Sequence, residues 1–310
     1  MIETKYSPVD YETSEFAIRR ALIALEVGAT DRSILQYLNF FIKLAPVERL
    51  SFLHVLPMPD FWESLEKEAI HLVQDNTAQA KALQDLKLRT LAQLELRENI
   101  KTDFGIRQGS PLDELLEEAI TLDADLIVTG LSTKRGAHGI LAKTLARHAT
   151  CNTLVIPDLA KPSLTNILVP VDFSANSAKA LHMAVELNMQ LTLPAKITCV
   201  YVYDVPDMGW YKIQRSEGEM RTMIETNRRD AFETFLHLHV PAYHDAIETL
   251  LVPRVRSSIG THIMETVDET FADLVIMGAK GYSQVARLLL GSVTEKVLAL
   301  TTHVPVLVVK

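Results

Sequence analysis

The sequence predicts an α/β chain of two tandem doubly wound domains, each a five-stranded parallel sheet with helices on both faces. Three observations predict it. Short apolar runs alternate with longer segments of helical period, as in parallel sheets with crossover helices. The 310 residues are too many for one small domain and enough for two, each able to bury its own core. Finally, the halves repeat each other: Leu22-Ile-Ala-Leu-Glu-Val-Gly28 lies over Leu168-Val-Pro-Val-Asp-Phe-Ser174, and Ala124-Asp-Leu-Ile-Val-Thr-Gly130 over Ala272-Asp-Leu-Val-Ile-Met-Gly278. A repeat at half the chain length is a duplicated domain, far longer than a solenoid unit.

In the first half, strands are expected near Arg20–Leu25, Arg49–Leu56, Ile100–Gly105, Ala124–Thr129 and Asn152–Ile156, where apolar and β-branched residues cluster. Helices are expected near Arg32–Leu44, Leu112–Thr121 and Leu141–His148, with a long helix or broken pair across Trp62–Arg97. The polar side of that stretch reads as a solvated face beside an apolar stripe. Pro157-Asp-Leu-Ala-Lys-Pro-Ser-Leu164, with two prolines, reads as a short stiff linker and divides the chain into domains 1–160 and 161–310. In the second half, strands are expected at Thr165–Val171, Ile197–Tyr203, Thr249–Val255, Asp273–Met277 and Val304–Val309. Helices are expected at about Asn176–Leu187, Gly218–His237, Thr261–Phe271 and Val293–Leu300.

Composition narrows the function. At 48% hydrophobic and 23% charged the chain lies far from the disordered range. A net charge of −8 argues for solubility and against a nucleic-acid partner. No run reaches a membrane span, and Met1–Asp10 lacks the basic start and apolar core of a signal peptide, so no membrane partner and a cytoplasmic location are expected. The two cysteines, Cys151 and Cys199, sit in no metal-ligand spacing and read as small buried hydrophobes. His138, His148, His262 and His303 read as lone histidines near helix ends, caps or surface residues without a second ligand a turn away, and all ten histidines read as structural.

In a doubly wound, flavodoxin-like sheet of order 3-2-1-4-5, ligands bind beyond the carboxyl ends of strands 1 and 4, where the order reverses. Strand 4 of the second half runs into Gly278-Ala-Lys-Gly281, then nine residues, then Gly291-Ser292. Glycines there let an anion approach the backbone. Ser292-Val-Thr-Glu295 has the form of a capping box, which starts the last helix at Ser292 with its first amides facing the crevice, a setting for phosphate. Lys280 and Arg287 add cationic contacts, and Ser292 and Thr294 offer hydroxyls. Strand 1 ends at Pro170-Val-Asp172. Opposite a phosphate loop, Asp172 suits ribose hydroxyls or an adenine amine; the competing reading is a helix cap, which Ser174 or Asn176 would equally supply. Met208-Gly-Trp-Tyr-Lys-Ile213 reads as a patch against the other half, with a lid over the ligand as the minority reading.

These residues together, Gly278-x-x-Gly281-x9-Gly291-Ser292 with Pro170-Val-Asp172 before and Val304-Pro-Val-Leu-Val-Val309 after, resemble the ATP-binding branch of the universal stress protein family, whose domains are adenine nucleotide alpha hydrolase-like. The resemblance covers nearly the whole second half and the strand pattern of the first. It implies ATP, or AMP or ADP, with Mg²⁺ bridging phosphate oxygens. Asp172 and Val202 would hold the adenosine, and Pro170, Met277 and Gly278 would line its pocket. Lys280, Gly281, Gly291, Ser292, Val293 and Thr294 would surround ribose and phosphates. It also implies pairing through the last strand, between the two halves of this chain or in a homodimer.

The first half departs from the pattern. Glu26 stands for Asp172, Ala24 for Pro170 and Ile140 for Ser292, and the loop from Gly130 to Gly139 is four residues shorter than that from Gly278 to Gly291. Lys134 and Arg135 remain as anion contacts, but a degenerate domain without nucleotide is expected. The functional expectation is an adenine-nucleotide-binding stress-response or regulatory protein with no catalytic residue assigned. The alternatives are a slow ATP hydrolase or self-phosphorylating protein, with Ser292 or Thr294 as acceptor, and a dimerisation scaffold without nucleotide.

Overall fold

Both halves adopt the expected alternation of strands and helices. The computed structural model describes residues 18–57, 76–133, 139–204, 217–281 and 290–310. In the first half, strand β1 (Arg20–Ala24) is followed by α1 (Ala29–Phe41), β2 (Arg49–Pro57), α2 (Asn76–Leu91), β3 (Lys101–Gly109), α3 (Pro111–Thr121), β4 (Leu126–Leu131), α4 (Ile140–His148) and β5 (Asn152–Pro157). The second half follows with β6 (Asn166–Pro170), α5 (Ala175–Met189), β7 (Lys196–Asp204), α6 (Glu217–His239), β8 (Ile247–Arg254), α7 (Ile259–Thr270), β9 (Leu274–Gly278), α8 (Ser292–Leu300) and β10 (Val306–Val309). Among the described residues no helix is long and apolar enough to cross a membrane.

The strands form one ten-stranded sheet in the order β3-β2-β1-β4-β5-β10-β9-β6-β7-β8. Each half is parallel within itself and has the order 3-2-1-4-5. The halves meet at β5 and β10, which pair antiparallel with Leu307 opposite Leu154. The last strand therefore pairs inside the chain, and the carboxyl edges of the two half-sheets point in opposite directions. The central strands are continuous buried runs, five residues in β9 and four in β10, because helices cover both faces. One core cluster runs unbroken from Ile23 and Phe52 through Leu154 and Leu307 to Ile167 and Phe232, so α1 and α5 lie on one side of the joint sheet.

The duplication extends to polar fastenings. Asp125 accepts from the amides of Arg19 and Arg20 (2.9 and 2.8 Å), tying β4 to β1; Asp273 does the same with Thr165 and Asn166 (2.8 and 3.2 Å), tying β9 to β6. Three expectations are corrected. The described part of the long helix ends at Leu91, where the chain turns so that Asn39 of α1 binds the Gln93 carbonyl and the Glu95 amide. Trp62 and its neighbours through Asp75 lie outside the described residues. The helix expected at Thr261 begins two residues earlier, because Ser258 caps it by accepting from the Thr261 amide. The first helix likewise starts at Ala29 rather than Arg32, where Asp31 reaches back to the Gly28 amide.

Candidate functional site

A cleft of about 670 Å³ opens at the carboxyl edge of the second half-sheet, where the strand order reverses between β6 and β9. Every site residue expected from the sequence lines it. One wall is the end of β6: Pro170 is followed by Asp172, whose Oδ1 accepts from the Ser174 amide at 3.1 Å. The cap of α5 is Ser174, whose hydroxyl accepts from the Ser177 amide, so Asp172 is not needed as the helix cap. Between them Phe173 takes a left-handed backbone (φ 61°), a cost of about 1–2 kcal/mol for an L residue. Its ring is packed against Tyr201, Phe232 and Phe235, with centroids 4.7 to 5.6 Å apart, which holds the strained turn in place. Val202 at the end of β7 continues this wall, buried with Met277 from β9.

The opposite wall is the glycine loop and the start of α8. A Cβ on Gly278 would lie 2.8 Å from Asn176, so glycine is what lets β9 reach the first turn of α5. A Cβ on Gly281 would lie 2.5 Å from Oδ2 of Asp172, which brings the loop onto that carboxylate. The Gly291 amide donates to the Ala279 carbonyl at 2.8 Å, and a Cβ on Gly291 would lie 3.3 Å from the Lys280 Cα. The loop thus closes on itself beside Lys280.

Two details correct the expected capping. Helix α8 is capped by Gly291, with no side-chain hydrogen bond to its first turn; Ser292 is the first helical residue and is exposed. The carboxylate of Glu295 does not return to the helix start but pairs with Arg147 of α4 in the first half, at 3.0 Å. The amides at positions 292–294 are therefore the orphan donors of a helix start, with the positive end of the helix behind them. The Thr294 hydroxyl is buried and donates to the Gly278 carbonyl at 2.9 Å, so it braces the loop instead of facing a ligand; Val293 packs on the core. Of the two expected acceptor hydroxyls, only Ser292 is turned outward.

The cleft has walls that periodicity does not reveal. Ile259 and Ile263 contribute from α7, Ser177 from α5, and the Arg228 guanidinium stands over Tyr201, 5.6 Å from its ring centre. Arg228 lies on the polar side of α6, where no sequence signal separates it from its charged neighbours. Arg287 and Met208–Ile213 lie outside the described residues, as do Lys134, Arg135 and His138. The cysteines are free. Burial pushes the Cys151 thiol up to about 11 and the Cys199 thiol still higher, so neither is a ready nucleophile. Among the described residues the amine with a strongly perturbed value is Lys310, lowered to about 8 by burial and by the charge of Lys280.

Chemically, the cleft presents backbone donors and a lysine at one end and the Asp172 acceptor at the other. Such a site takes a ligand with an anionic end and a hydrogen-bond-donating end. Among the described residues no group of three or more His, Cys, Asp or Glu side chains is placed to hold a metal ion.

Comparisons with known proteins agree with this architecture. The profile of the Universal stress protein family matches the chain twice, over residues 23–157 and 164–310. A universal stress protein of Methanocaldococcus jannaschii is 31% identical over 147 residues, 46% of this chain and 81% of that protein. Among solved structures, a universal stress protein from Archaeoglobus fulgidus DSM 4304 superposes with a TM-score of 0.61 at 18% identity, covering 95% of this chain and 97% of that one. A protein of unassigned function from Pseudomonas aeruginosa PAO1 gives the same TM-score and identity over 96% of this chain and 94% of its own.

Proposed function

The chain belongs to the universal stress protein family, in tandem form, and on that premise we propose that its second half binds an adenine nucleotide while its first half binds none. The observation that carries the reading is the start of α8: a glycine cap and uncapped amides, beside Gly281 packed close against the Asp172 carboxylate and Gly291 packed against the Lys280 backbone. Phosphates lie on the amides at 292–294 beside Lys280, with Gly281 and Gly291 keeping their path clear. Asp172 and Val202 hold the nucleoside at the far wall. Any divalent cation that accompanies the nucleotide is held by phosphate oxygens.

This is binding rather than fast turnover. Efficient phosphoryl transfer needs groups that hold the metal and position the attacking atom; this reading gives Asp172 to the nucleoside and leaves helix-start amides and Lys280 as the cradle at the phosphates. The nucleotide acts as a ligand that fixes the loop between β9 and α8 and, through Glu295 and Arg147, bears on the first half. The domains of this reading are residues 1–160, without nucleotide, and 161–310, with it; the setting is a stress-response or regulatory role in the cytoplasm. Calorimetric titration of the full chain with ATP, ADP and AMP tests the reading, together with mass spectrometry of small molecules released from protein isolated without added ligand. One adenine nucleotide per chain is the expected result. A stoichiometry of zero sinks the assignment, and a stoichiometry of two sinks the silent first half.

A further inference from the structure

Outside the cleft, three side chains that the sequence does not single out as a group converge at the start of α7. The Ser257 hydroxyl lies 3.1 Å from Nε2 of His262, and Nδ1 of the same ring lies 2.8 Å from Oε2 of Glu265. In the sequence His262 reads as structural, although Glu265 stands one helical turn on; Ser257, five residues upstream, stands at no helical spacing.

The tautomer of His262 follows from a third contact. The Val255 amide, which can only donate, points at Nε2 from 3.2 Å. Nε2 is therefore the unprotonated nitrogen, its one lone pair shared between the Val255 amide and the Ser257 hydroxyl, and the ring proton sits on Nδ1 facing the Glu265 carboxylate. A hydroxyl donating to a neutral imidazole that a carboxylate orients is the arrangement of an activated nucleophile with its general base. The backbone presents the serine on a strained turn: Arg256, just before it, has φ 59°, and the Ser257 amide closes the turn onto the Val255 carbonyl at 2.7 Å. The Ser257 hydroxyl also lies 3.4 Å from that carbonyl, the weaker of its two contacts. The His262 side chain is 12% exposed and that of Glu265 54%, so the base is sheltered while the site opens to solvent. The first amides of α7 follow within three residues, orphan donors for a developing oxyanion.

The first half supplies an internal control. Ser110 and Ser258 hold the same N-cap position in their halves. Counting from them, Gly109 stands where Ser257 stands and Glu114 where His262 stands. Both nucleophile and base are thus missing from the twin.

The geometry points to a nucleophilic serine at position 257, with His262 as its base and Glu265 as a positioning residue, acting on small activated acyl esters. The Ser257 oxygen bonds to the acyl carbon while its proton passes to Nε2. Collapse of the tetrahedral adduct breaks the bond to the leaving alcohol, which takes that proton. Water then attacks the acyl-serine by the same route, releasing the carboxylic acid and restoring the hydroxyl. None of the three side chains lines the cleft, so the proposal stands whether or not the cleft binds nucleotide.

The test uses the full chain with p-nitrophenyl acetate, following phenolate release and mapping the acetyl group by peptide mass spectrometry. Acetylation of Ser257 is expected, about a hundredfold faster than background labelling of the same peptide in His262→Gln, in keeping with the usual contribution of a general base. The rate should rise with pH through a histidine inflection that His262→Gln abolishes. Glu265→Gln should slow the reaction and displace that inflection, and Glu265→Asp should restore both, which a merely structural role would not do. A fluorophosphonate reagent should label Ser257 in the native chain and not in His262→Gln, a contrast that remains readable even if Ser257→Ala folds poorly. Acetyl groups on lysines alone, or equal labelling of Ser257 in the native chain and His262→Gln, would overturn the proposal.

Discussion

The two crevices of this molecule are built by the same strands in the same order, and they end up with opposite characters. In the second, the turn after the first strand is braced by the Phe173 ring inside an aromatic cluster, which leaves Asp172 at the cleft wall. In the first, Val27 takes the same left-handed backbone, φ 57°, but is 42% exposed. The turn is instead held by Asp31, whose carboxylate accepts from the amides of Glu26 (3.0 Å) and Gly28 (3.2 Å). Burial raises the pKa of Asp31 against the lowering effect of those amides. An acidic side chain of the protein thus sits in the turn of the first half, where the second half has the neutral Ser177. At the other wall Leu131 stands for Ala279 and Ile140, 75% exposed, for Ser292. A duplicated fold keeps its backbone plan, down to a glycine-capped helix start at Gly139, while carboxylate and hydrocarbon side chains replace the neutral ones beside it.

The largest expected effect separates two loop glycines, Gly281 of the second half and Gly139 of the first. Gly281→Val should push the Asp172 carboxylate aside and obstruct the anion path, lowering nucleotide affinity by at least about a hundredfold, with the thermal midpoint unchanged; a normal calorimetric isotherm would remove the comparison. Gly139→Val should do the reverse. Gly139 has φ 59° and a Cβ there would meet Leu131 at 2.0 Å, so the loss should be roughly 1–2 kcal/mol or more of stability, read by denaturant unfolding, with nucleotide stoichiometry unaltered. Next in size, Asp172→Ala should weaken binding by roughly tenfold to a hundredfold, whereas Glu26→Ala should leave the isotherm as it is; equal effects would mean that both halves contact ligand.

The smallest effect concerns protons. Lys310, at about 8, is held down by burial first and by Lys280 second. A bound phosphate would offset the Lys280 charge and raise that value toward the ordinary lysine range. At pH 8, nucleotide binding should therefore take up a fraction of a proton, seen as a dependence of binding enthalpy on buffer ionisation enthalpy. Proton release, or no exchange, would place the phosphates away from Lys280.

Much of this was legible in the residue order. The strand order follows from alternating apolar runs, and the site residues converge because the Gly278, Gly281 and Gly291 spacing belongs to one loop. What was not legible depends on distant or returning partners. Ser292-x-x-Glu295 has the form of a capping box, yet Glu295 is drawn to Arg147 in the other half, and the cap passes to Gly291. Asp31 falls outside the helix expected from Arg32, yet its side chain turns back onto the Gly28 amide at the helix start. His262 reads as isolated because its serine lies across a loop, at no helical spacing.

The antiparallel pairing of β5 with β10 has one more consequence. Both strands are flanked on each side, so among the described residues the unpaired sheet edges are those of β3 and β8 alone. Because one polypeptide carries both partners, their union obeys effective concentration and not mass action. Dilution that would separate two free subunits leaves the bridge from Arg147 to Glu295 of α8 intact at any protein concentration.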